Sequence, residues 1–145
     1  MAGLPAHQTA LDLLNKKDVR NWIAAGETIA GRSADVLIYV AGGVLGQSAK
    51  PLEEVDEEAW RAVLDVNLTG AFLSAQAVAP GMKQRGKGRI VFIASGAGLR
   101  TSLTGIQAYA SAKASRSTRS RRASSAPAPT MNDSGSPTLR TANRA

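Results

Sequence analysis

DVLIYVAG at residues 35–42 and RIVFIAS at residues 89–95 are the two stretches that decide the fold. Each is an unbroken series of apolar side chains rich in branched residues, which predicts a strand buried on both faces of a parallel sheet. Between them, from about Glu57 to Arg85, apolar side chains recur at helical spacing and predict one long amphipathic helix. Strand, helix, strand is the order of a βαβ unit, so the sequence predicts an α/β fold with an incomplete, doubly wound parallel sheet.

The remaining helices are predicted from their boundary residues. A first helix is expected from Asp18 to Gly31, with Asp18 capping its start and Gly31 ending it. Pro80 lies within the long helix and is expected to kink or end it, because proline has no N–H to donate. A last helical pattern begins over Ile106 to Lys113, after a Gly/Ser/Thr loop at residues 96–104.

A change in composition after Ala114 divides the chain into two predicted parts. Residues 1–114 carry 12 Lys and Arg against 10 Asp and Glu, whereas residues 115–145 carry six Arg and one Asp. Ser, Thr, Pro, Ala and Arg fill 25 of the last 31 positions, so we expect a disordered basic tail behind a partial α/β domain. The net charge of +7 belongs mostly to that tail. Because no aromatic residue interleaves its arginines, we do not expect a nucleic-acid partner.

The inventory of residue types excludes several classes of function. The 145 residues include no cysteine and one histidine, His7, so we expect no thiolate chemistry, no Ser/His/Asp triad and no metal site. No unbroken apolar run approaches the roughly 20 residues of a membrane span, and no signal peptide opens the chain. The sequence therefore favours a soluble, cytoplasmic protein without a membrane partner.

Side chains suited to acid–base chemistry lie near the predicted carboxyl ends of the strands, where parallel sheets place their sites. Ser95 ends the second strand, and Tyr109 and Lys113 are four residues apart and share a helix face. Asn67 lies at the edge of the long helix's apolar stripe, where a buried amide needs partners. A lysine ammonium can lower a tyrosine pKa, a serine can hold a substrate oxygen, and an asparagine can hold a relaying water. The simpler alternative for Tyr109 and Lys113 is a surface ring stacked on a lysine stem.

Three motifs give these residues a family context. VNLTG at residues 66–70, GRIVFIAS at 88–95 and YASAK at 109–113 resemble, in order and spacing, those of the short-chain dehydrogenases/reductases. The resemblance implies a Rossmann-like fold and a cofactor, NAD or NADP, that exchanges a hydride with a small carbonyl or alcohol substrate, as in 3-oxoacyl reductases. It also implies a catalytic set of Asn67, Ser95, Tyr109 and Lys113. In that set Tyr109 is the acid/base, Ser95 orients the substrate, Lys113 also holds the nicotinamide ribose and Asn67 supports proton relay.

Two shorter stretches resemble the family's cofactor contacts. Asp12 is similar to the acidic residue that meets the cofactor's adenine. Ala41 and Gly42 are similar to the end of an Asn-Asn-Ala-Gly turn under the cofactor, and we expect their backbone to approach it closely. Tyr39 and Val40 stand where that turn has asparagines, so its amide hydrogen bonds are expected to be lost.

The chain also departs from the family pattern at both ends. No glycine-rich phosphate-binding turn precedes Asp12, so the family's first two strands are expected to be absent, leaving an exposed sheet edge. After Ala114 the helical pattern stops. The alternative to an active oxidoreductase is therefore an inactive fragment that at most forms a homo-oligomer through the helix at 57–85.

Overall fold

A computed structural model describes residues 6–99 and 105–116, and its elements confirm the α/β class. In chain order the elements are α1 (Lys16–Ala30), β1 (Val36–Tyr39), α2 (Glu57–Leu64), a π-helical segment (Asp65–Thr69), α3 (Gly70–Gln84), β2 (Arg89–Phe92) and α4 (Gln107–Arg116). Short 3-10 turns occupy Leu52–Glu54 and Gly96–Gly98. Residues 100–104 of the predicted loop lie outside the described residues. The first two residues of the predicted tail, Ser115 and Arg116, belong to α4 instead, and the rest of that tail lies outside the described residues.

The two strands pair in parallel, as their apolar runs predict. Leu37 lies opposite Ile90 and Tyr39 opposite Phe92, and the register continues as the Ile93 N–H donates to the Tyr39 carbonyl at 3.2 Å. Because the carboxyl ends of both strands meet at one edge, the chain segments that follow Tyr39 and Phe92 become neighbours.

The expectation that both strand faces are buried is wrong for both strands. In β2, Val91 and Phe92 on opposite faces are 40 % and 38 % exposed, and β1 has one buried face. Leu37 and Tyr39 are 8 % and 4 % exposed, whereas Val36 and Ile38 on the other face are 48 % and 59 % exposed. The buried face packs against α3, where Leu37 contacts a core that includes Val78. A continuous apolar run states only that both faces suit burial; the helices that pack on the strand decide which face is covered.

Asn15, rather than Asp18, caps the first helix. The Asn15 Oδ1 accepts hydrogen bonds from the backbone N–H of Lys17 at 3.0 Å and of Asp18 at 3.3 Å. Asp18 lies in the first turn, where its charge complements the positive end of the helix dipole. The predicted end is confirmed, since Gly31 takes a left-handed φ of 67° that terminates α1.

The predicted long helix is continuous in course but changes its winding in the middle. At the π-helical segment the Gly70 N–H donates to the carbonyl of Asp65, five residues earlier. Pro80 does not end the helix, because α3 continues to Gln84 and the chain turns at Gly86, where φ is +66°. Because proline has no N–H, one helical hydrogen bond is missing at Pro80. Pro80 is on the exposed side of α3, where this loss is accommodated.

The span Glu57–Gln84 is also long and apolar enough to cross a membrane, by length and composition alone. Its 28 residues include an 18-residue window of mean hydropathy 1.3, of which 33 % is buried within the molecule. The core helix of a soluble α/β domain meets the same criterion. Here the buried Asn67 amide donates to the Gly43 carbonyl in the loop after β1 at 2.9 Å, which fits a helix packed within a domain.

An ion-pair cluster joins the start of β1 to the end of α3. The Asp35 carboxylate pairs with Arg85 and with Arg32, and Arg85 also donates to the Ser33 carbonyl. The hydrogen bond from Arg85 holds the pKa of Asp35 below its ordinary value, and the nearby charge of Arg32 acts in the same direction. This cluster fixes the strand's amino-terminal end, opposite to the predicted site.

Candidate active site

Asn67 is fully buried and bridges the long helix to the loop after β1. Its Oδ1 accepts from the Gly43 N–H at 3.3 Å, and its Nδ2 donates to the Gly43 carbonyl at 2.9 Å and to the Val63 carbonyl at 2.8 Å. The amide therefore pairs with both backbone groups of one residue, much as a neighbouring strand would. The prediction that a buried amide at this position must find partners is confirmed.

Gly42 lies against this amide at the end of β1. A Cβ at Gly42 would overlap Asn67 Oδ1, and its φ of +144° is one that other residues rarely adopt. Ala41, beside it, is half-buried. The absence of a side chain at Gly42 is thus required by Asn67, whose amide occupies the space that a Cβ would fill.

Tyr39 forms a structural hydrogen bond at a position where the family pattern has an asparagine. Its side chain is 4 % exposed, and its hydroxyl donates to the Val66 carbonyl in the π-helical segment at 2.8 Å. Gly70 provides the room, because a Cβ there would overlap the Tyr39 hydroxyl. The expected loss of hydrogen bonding is therefore offset by a bond that reaches the segment holding Asn67. The sequence contains both partners of this hydrogen bond, Tyr39 and the VNLTG motif at residues 66–70. Hydrophobic periodicity alone does not reveal that they are bonded.

Ser95 lies just beyond β2, at the same edge of the sheet as Gly42. Its Oγ accepts from the Ala97 N–H at 3.2 Å and so begins the short 3-10 turn Gly96–Gly98. That turn packs on the last helix, since a Cβ at Gly98 would lie 2.5 Å from backbone atoms of Lys113 and Ala114.

Tyr109 and Lys113 lie on one face of α4, as their spacing predicts. Lys113 is 4 % exposed, its Nζ lies 5.3 Å from the centre of the Tyr109 ring, and it donates to the Ile93 carbonyl at 3.3 Å. The surface-stacking alternative does not describe this pair, because the ammonium is buried against the strand end two residues before Ser95. Ala108 and Ala112, both fully buried, allow α4 to pack closely against α2.

Asp12 lies in a turn ahead of α1. Its Oδ1 accepts from the Leu14 N–H at 2.9 Å, and its carbonyl accepts from the Asn15 N–H at 3.1 Å. The next residue, Leu13, places its carbonyl 3.5 Å from where a Cβ of Gly70 would be. Asp12 is exposed, and its neighbour Leu13 lies in space beside Gly70, which follows the π-helical segment. The predicted adenine contact of Asp12 stays a prediction.

One buried polar residue near the site was missed by the sequence reasoning. Gln47 is 5 % exposed and lies in the loop between β1 and α2. Its Nε2 has no hydrogen-bond partner among residues 6–99 and 105–116. Nothing in the local sequence marks it, since a glutamine after a glycine-rich turn is normally an exposed loop residue.

A cavity of about 430 Å³ opens elsewhere, between α1 and the amino-terminal half of β1. It is lined by residues that include Trp22, Glu27 and Asp35, and none of the predicted site residues contributes to it. The chemistry therefore points to the carboxyl edge of the sheet and not to this cavity.

The arrangement at the carboxyl edge suits half of a nicotinamide dinucleotide. A tyrosine hydroxyl and a lysine ammonium on one docked helix can hold a ribose. The predicted approach of the cofactor to the backbone of Ala41 and Gly42 stays a prediction. In residues 6–35, the described part ahead of β1, no strand and glycine-rich turn offers a pyrophosphate seat. The described residues thus fit the nicotinamide-ribose end of such a cofactor.

A parallel sheet with this set of residues at its carboxyl edge defines a Rossmann-like oxidoreductase fold. The family model for short chain dehydrogenases matches residues 2–129, and the chain belongs to that family. The match runs past the change in composition at Ala114.

Three related proteins show how much of a full-length member this chain represents. It is 41 % identical over 87 residues to human 17-beta-hydroxysteroid dehydrogenase type 1, covering 59 % of this chain and 25 % of that protein. It is 38 % identical over 86 residues to the NADP-dependent 3-hydroxy acid dehydrogenase YdfG of Salmonella typhi, covering 56 % and 34 %. A short-chain dehydrogenase/reductase structure from Burkholderia xenovorans superposes with a TM-score of 0.67 at 34 % identity, covering 74 % and 41 %. The chain spans less than half of each of these proteins.

Proposed function

We propose that this chain acts as an NAD(P)-dependent oxidoreductase on a carbonyl/alcohol pair, with 3-oxoacyl compounds and their 3-hydroxy counterparts as the substrate class. The observation that carries the proposal is the docking of α4. The Lys113 Nζ donates to the Ile93 carbonyl at 3.3 Å, and so the helix bearing Tyr109 is held against the short segment that connects β2 to Ser95. A relative named as a 3-hydroxy acid dehydrogenase supports the choice of substrate class.

The chain's own residues would handle the proton and the substrate oxygen. The cofactor, when bound, supplies or accepts the hydride. Ser95 Oγ accepts a bond from Ala97, which leaves its single hydrogen available to donate to the substrate oxygen. Tyr109 would give a proton to that oxygen in reduction and take it back in oxidation.

Asn67 has a positioning role in this proposal. Both amide hydrogens of Asn67 are engaged by the carbonyls of Gly43 and Val63. They are thus committed to shaping the loop after β1, so the side chain would support the relay by holding that loop rather than by donating to a water.

The test is cofactor-dependent reduction of a 3-oxobutanoyl thioester, followed as oxidation of NADH or NADPH. Tyr109→Phe should lower kcat by roughly 10²–10⁴-fold, the usual contribution of a positioned acid/base group. Circular dichroism should show the same fold and unfolding midpoint as the native chain. Absence of nucleotide binding by the purified chain, measured by fluorescence titration, would contradict the proposal.

A further inference from the structure

The loop between β1 and α2 contains a buried donor that no described residue satisfies. Gln47 is 5 % exposed, and its Nε2 lacks a hydrogen-bond partner within residues 6–99 and 105–116. Leaving such a group unpaired costs more free energy than a typical hydrogen bond contributes, and native folds rarely tolerate it without a use. A partner that arrives from outside the fold would account for it.

The loop is tied at both ends to the elements that carry the predicted site. At its start, the Asn67 amide engages both backbone groups of Gly43, at 2.9 Å and 3.3 Å. At its end, the Gln107 Nε2 at the beginning of α4 donates to the Lys50 carbonyl at 3.0 Å. Gln47 therefore lies on a segment, residues 43–50, whose two ends are attached to the helix of Asn67 and to the helix of Tyr109.

The backbone on either side of Gln47 is strained. Leu45 and Ala49 adopt φ values of +47° and +58°, in the left-handed region that residues other than glycine seldom occupy. The Gln47 N–H closes a turn onto the Val44 carbonyl at 2.8 Å. Strain of this kind persists where the surroundings fix a conformation, and it collects at ligand-binding sites. The loop thus holds the amide in its buried position at a cost.

We propose that Gln47 is a substrate-binding residue whose Nε2 donates to a second oxygen of the substrate, two carbons from the reacting one. For a 3-hydroxy acid or a 3-oxoacyl compound this oxygen belongs to the carboxylate or carbonyl at C1, while Ser95 and Tyr109 hold the oxygen at C3. The identity of the substrate rests on the proposed function. The unpaired amide and its position on the segment 43–50 do not.

The first experiment measures the unliganded chain. Gln47→Met keeps the length of the side chain and removes the amide, so the thermal unfolding midpoint should rise by about 3 °C because an unpaired buried donor is lost. The matched control, Gln84→Met at the exposed end of α3, should leave the midpoint unchanged. A lower midpoint for Gln47→Met would show that the amide has a partner within the protein, and would overturn the proposal.

The second experiment compares 3-hydroxybutyrate with butan-2-ol, which has the same carbinol without the carboxylate. In Gln47→Met, KM for 3-hydroxybutyrate should rise about tenfold with kcat retained, because a hydrogen bond to a charged oxygen is lost. The kcat/KM for butan-2-ol should change by less than about twofold. Equal losses for both alcohols would overturn the proposal.

A binding measurement separates this proposal from the proposed function. At the same concentration, 3-hydroxybutyrate should raise the unfolding midpoint of the native chain more than that of Gln47→Met, because its affinity for the variant is about tenfold lower. If 3-hydroxybutyrate shows this difference in stabilisation while no hydride is transferred, the proposed function fails and the role of Gln47 stands. If 3-hydroxybutyrate stabilises both chains equally or neither, the role of Gln47 is disproved whatever the activity.

Discussion

Asn67 and Gly42 show how one buried polar residue restricts its neighbour. The Asn67 amide hydrogen-bonds to both backbone groups of Gly43, as a neighbouring strand would. It also occupies the space that a side chain at Gly42 would fill. From the sequence, Gly42 is explained by its approach to a cofactor. In the structure the first close approach is to Asn67, so the glycine is needed before any ligand binds.

Substituting the two adjacent glycines separates backbone strain from the clash with Asn67. Gly42→Ala and Gly43→Ala both place a side chain at positive φ, but only the first meets Asn67, since nothing lies within 4 Å of a Cβ at Gly43. We expect Gly42→Ala to lower the free energy of unfolding by about 2–3 kcal/mol more than Gly43→Ala, in urea titrations. Equal losses would mean that the Asn67 amide moves aside at no cost.

Asp35 supplies a pH dependence with a definite sign. Its pKa is lowered in the folded chain, first by the hydrogen bond from Arg85. Its contribution is therefore present above the unfolded-state pKa, about 3.9, and is lost as the pH falls through the lower folded-state value. Asp35→Asn should lower the unfolding midpoint at pH 7, and the difference from the native chain should shrink below about pH 4. Glu58→Gln on exposed α2 is the control; a gap that stays constant with pH would refute the assignment.

At the scale of elements, α4 depends on a close contact with the turn that follows Ser95. Gly98 lies so near the backbone of Lys113 that the turn and the helix exclude any side chain between them. The lysine then reaches the Ile93 carbonyl, which couples the position of Tyr109 to the end of β2. The positions of Tyr109 and Lys113 are thus set by the contact at Gly98 and by the hydrogen bond to Ile93.

A pair of alanine substitutions within this turn tests that coupling. Gly98→Ala places a Cβ 2.5 Å from Lys113, whereas Gly96→Ala, two residues earlier, meets nothing within 4 Å. We expect Gly98→Ala to destabilise the chain by about 1–3 kcal/mol and to displace α4, and Gly96→Ala to do neither. Hydrogen exchange of the α4 amides reports the displacement directly. Unchanged protection of α4 in Gly98→Ala would show that the contact does not hold the helix.

Some elements could be predicted from the sequence because their causes are local. The spacing of Tyr109 and Lys113 fixes a shared helix face, and Gly31 ends α1 by a conformation that glycine favours. The π-helical winding around Asn67 could not be predicted, because it is accompanied by a hydrogen bond from the Tyr39 hydroxyl to the Val66 carbonyl, 27 positions further along the chain. The cap of α1 is Asn15 rather than Asp18, although both residue types cap well. The Asn15 N–H also closes a turn onto the Asp12 carbonyl, which helical periodicity does not reveal.

At the scale of the whole molecule, the described sheet leaves one apolar face open to solvent. Val36, Ile38 and Val40 of the β1 segment are 48 %, 59 % and 65 % exposed, and Val91 and Ile93 beside them are 40 % and 43 % exposed. Hydrophobic periodicity cannot predict this exposure, because the unbroken apolar runs that contain these residues predict strands buried on both faces. A contiguous patch of this kind, next to a strand edge, favours association with other apolar surfaces.

We therefore expect the 145-residue chain to self-associate through this face of the sheet more strongly than through its long helix. On the helix the large exposed apolar side chain is Phe72, which is 60 % exposed, whereas the sheet presents five such residues together. Ile38→Lys should raise the concentration needed for association by about tenfold or more in sedimentation velocity, because a charge in the patch opposes its burial. Phe72→Lys should shift it less. A larger effect of Phe72→Lys than of Ile38→Lys would assign association to the helix at 57–85. A native chain that stays monomeric at all concentrations would contradict association through either surface.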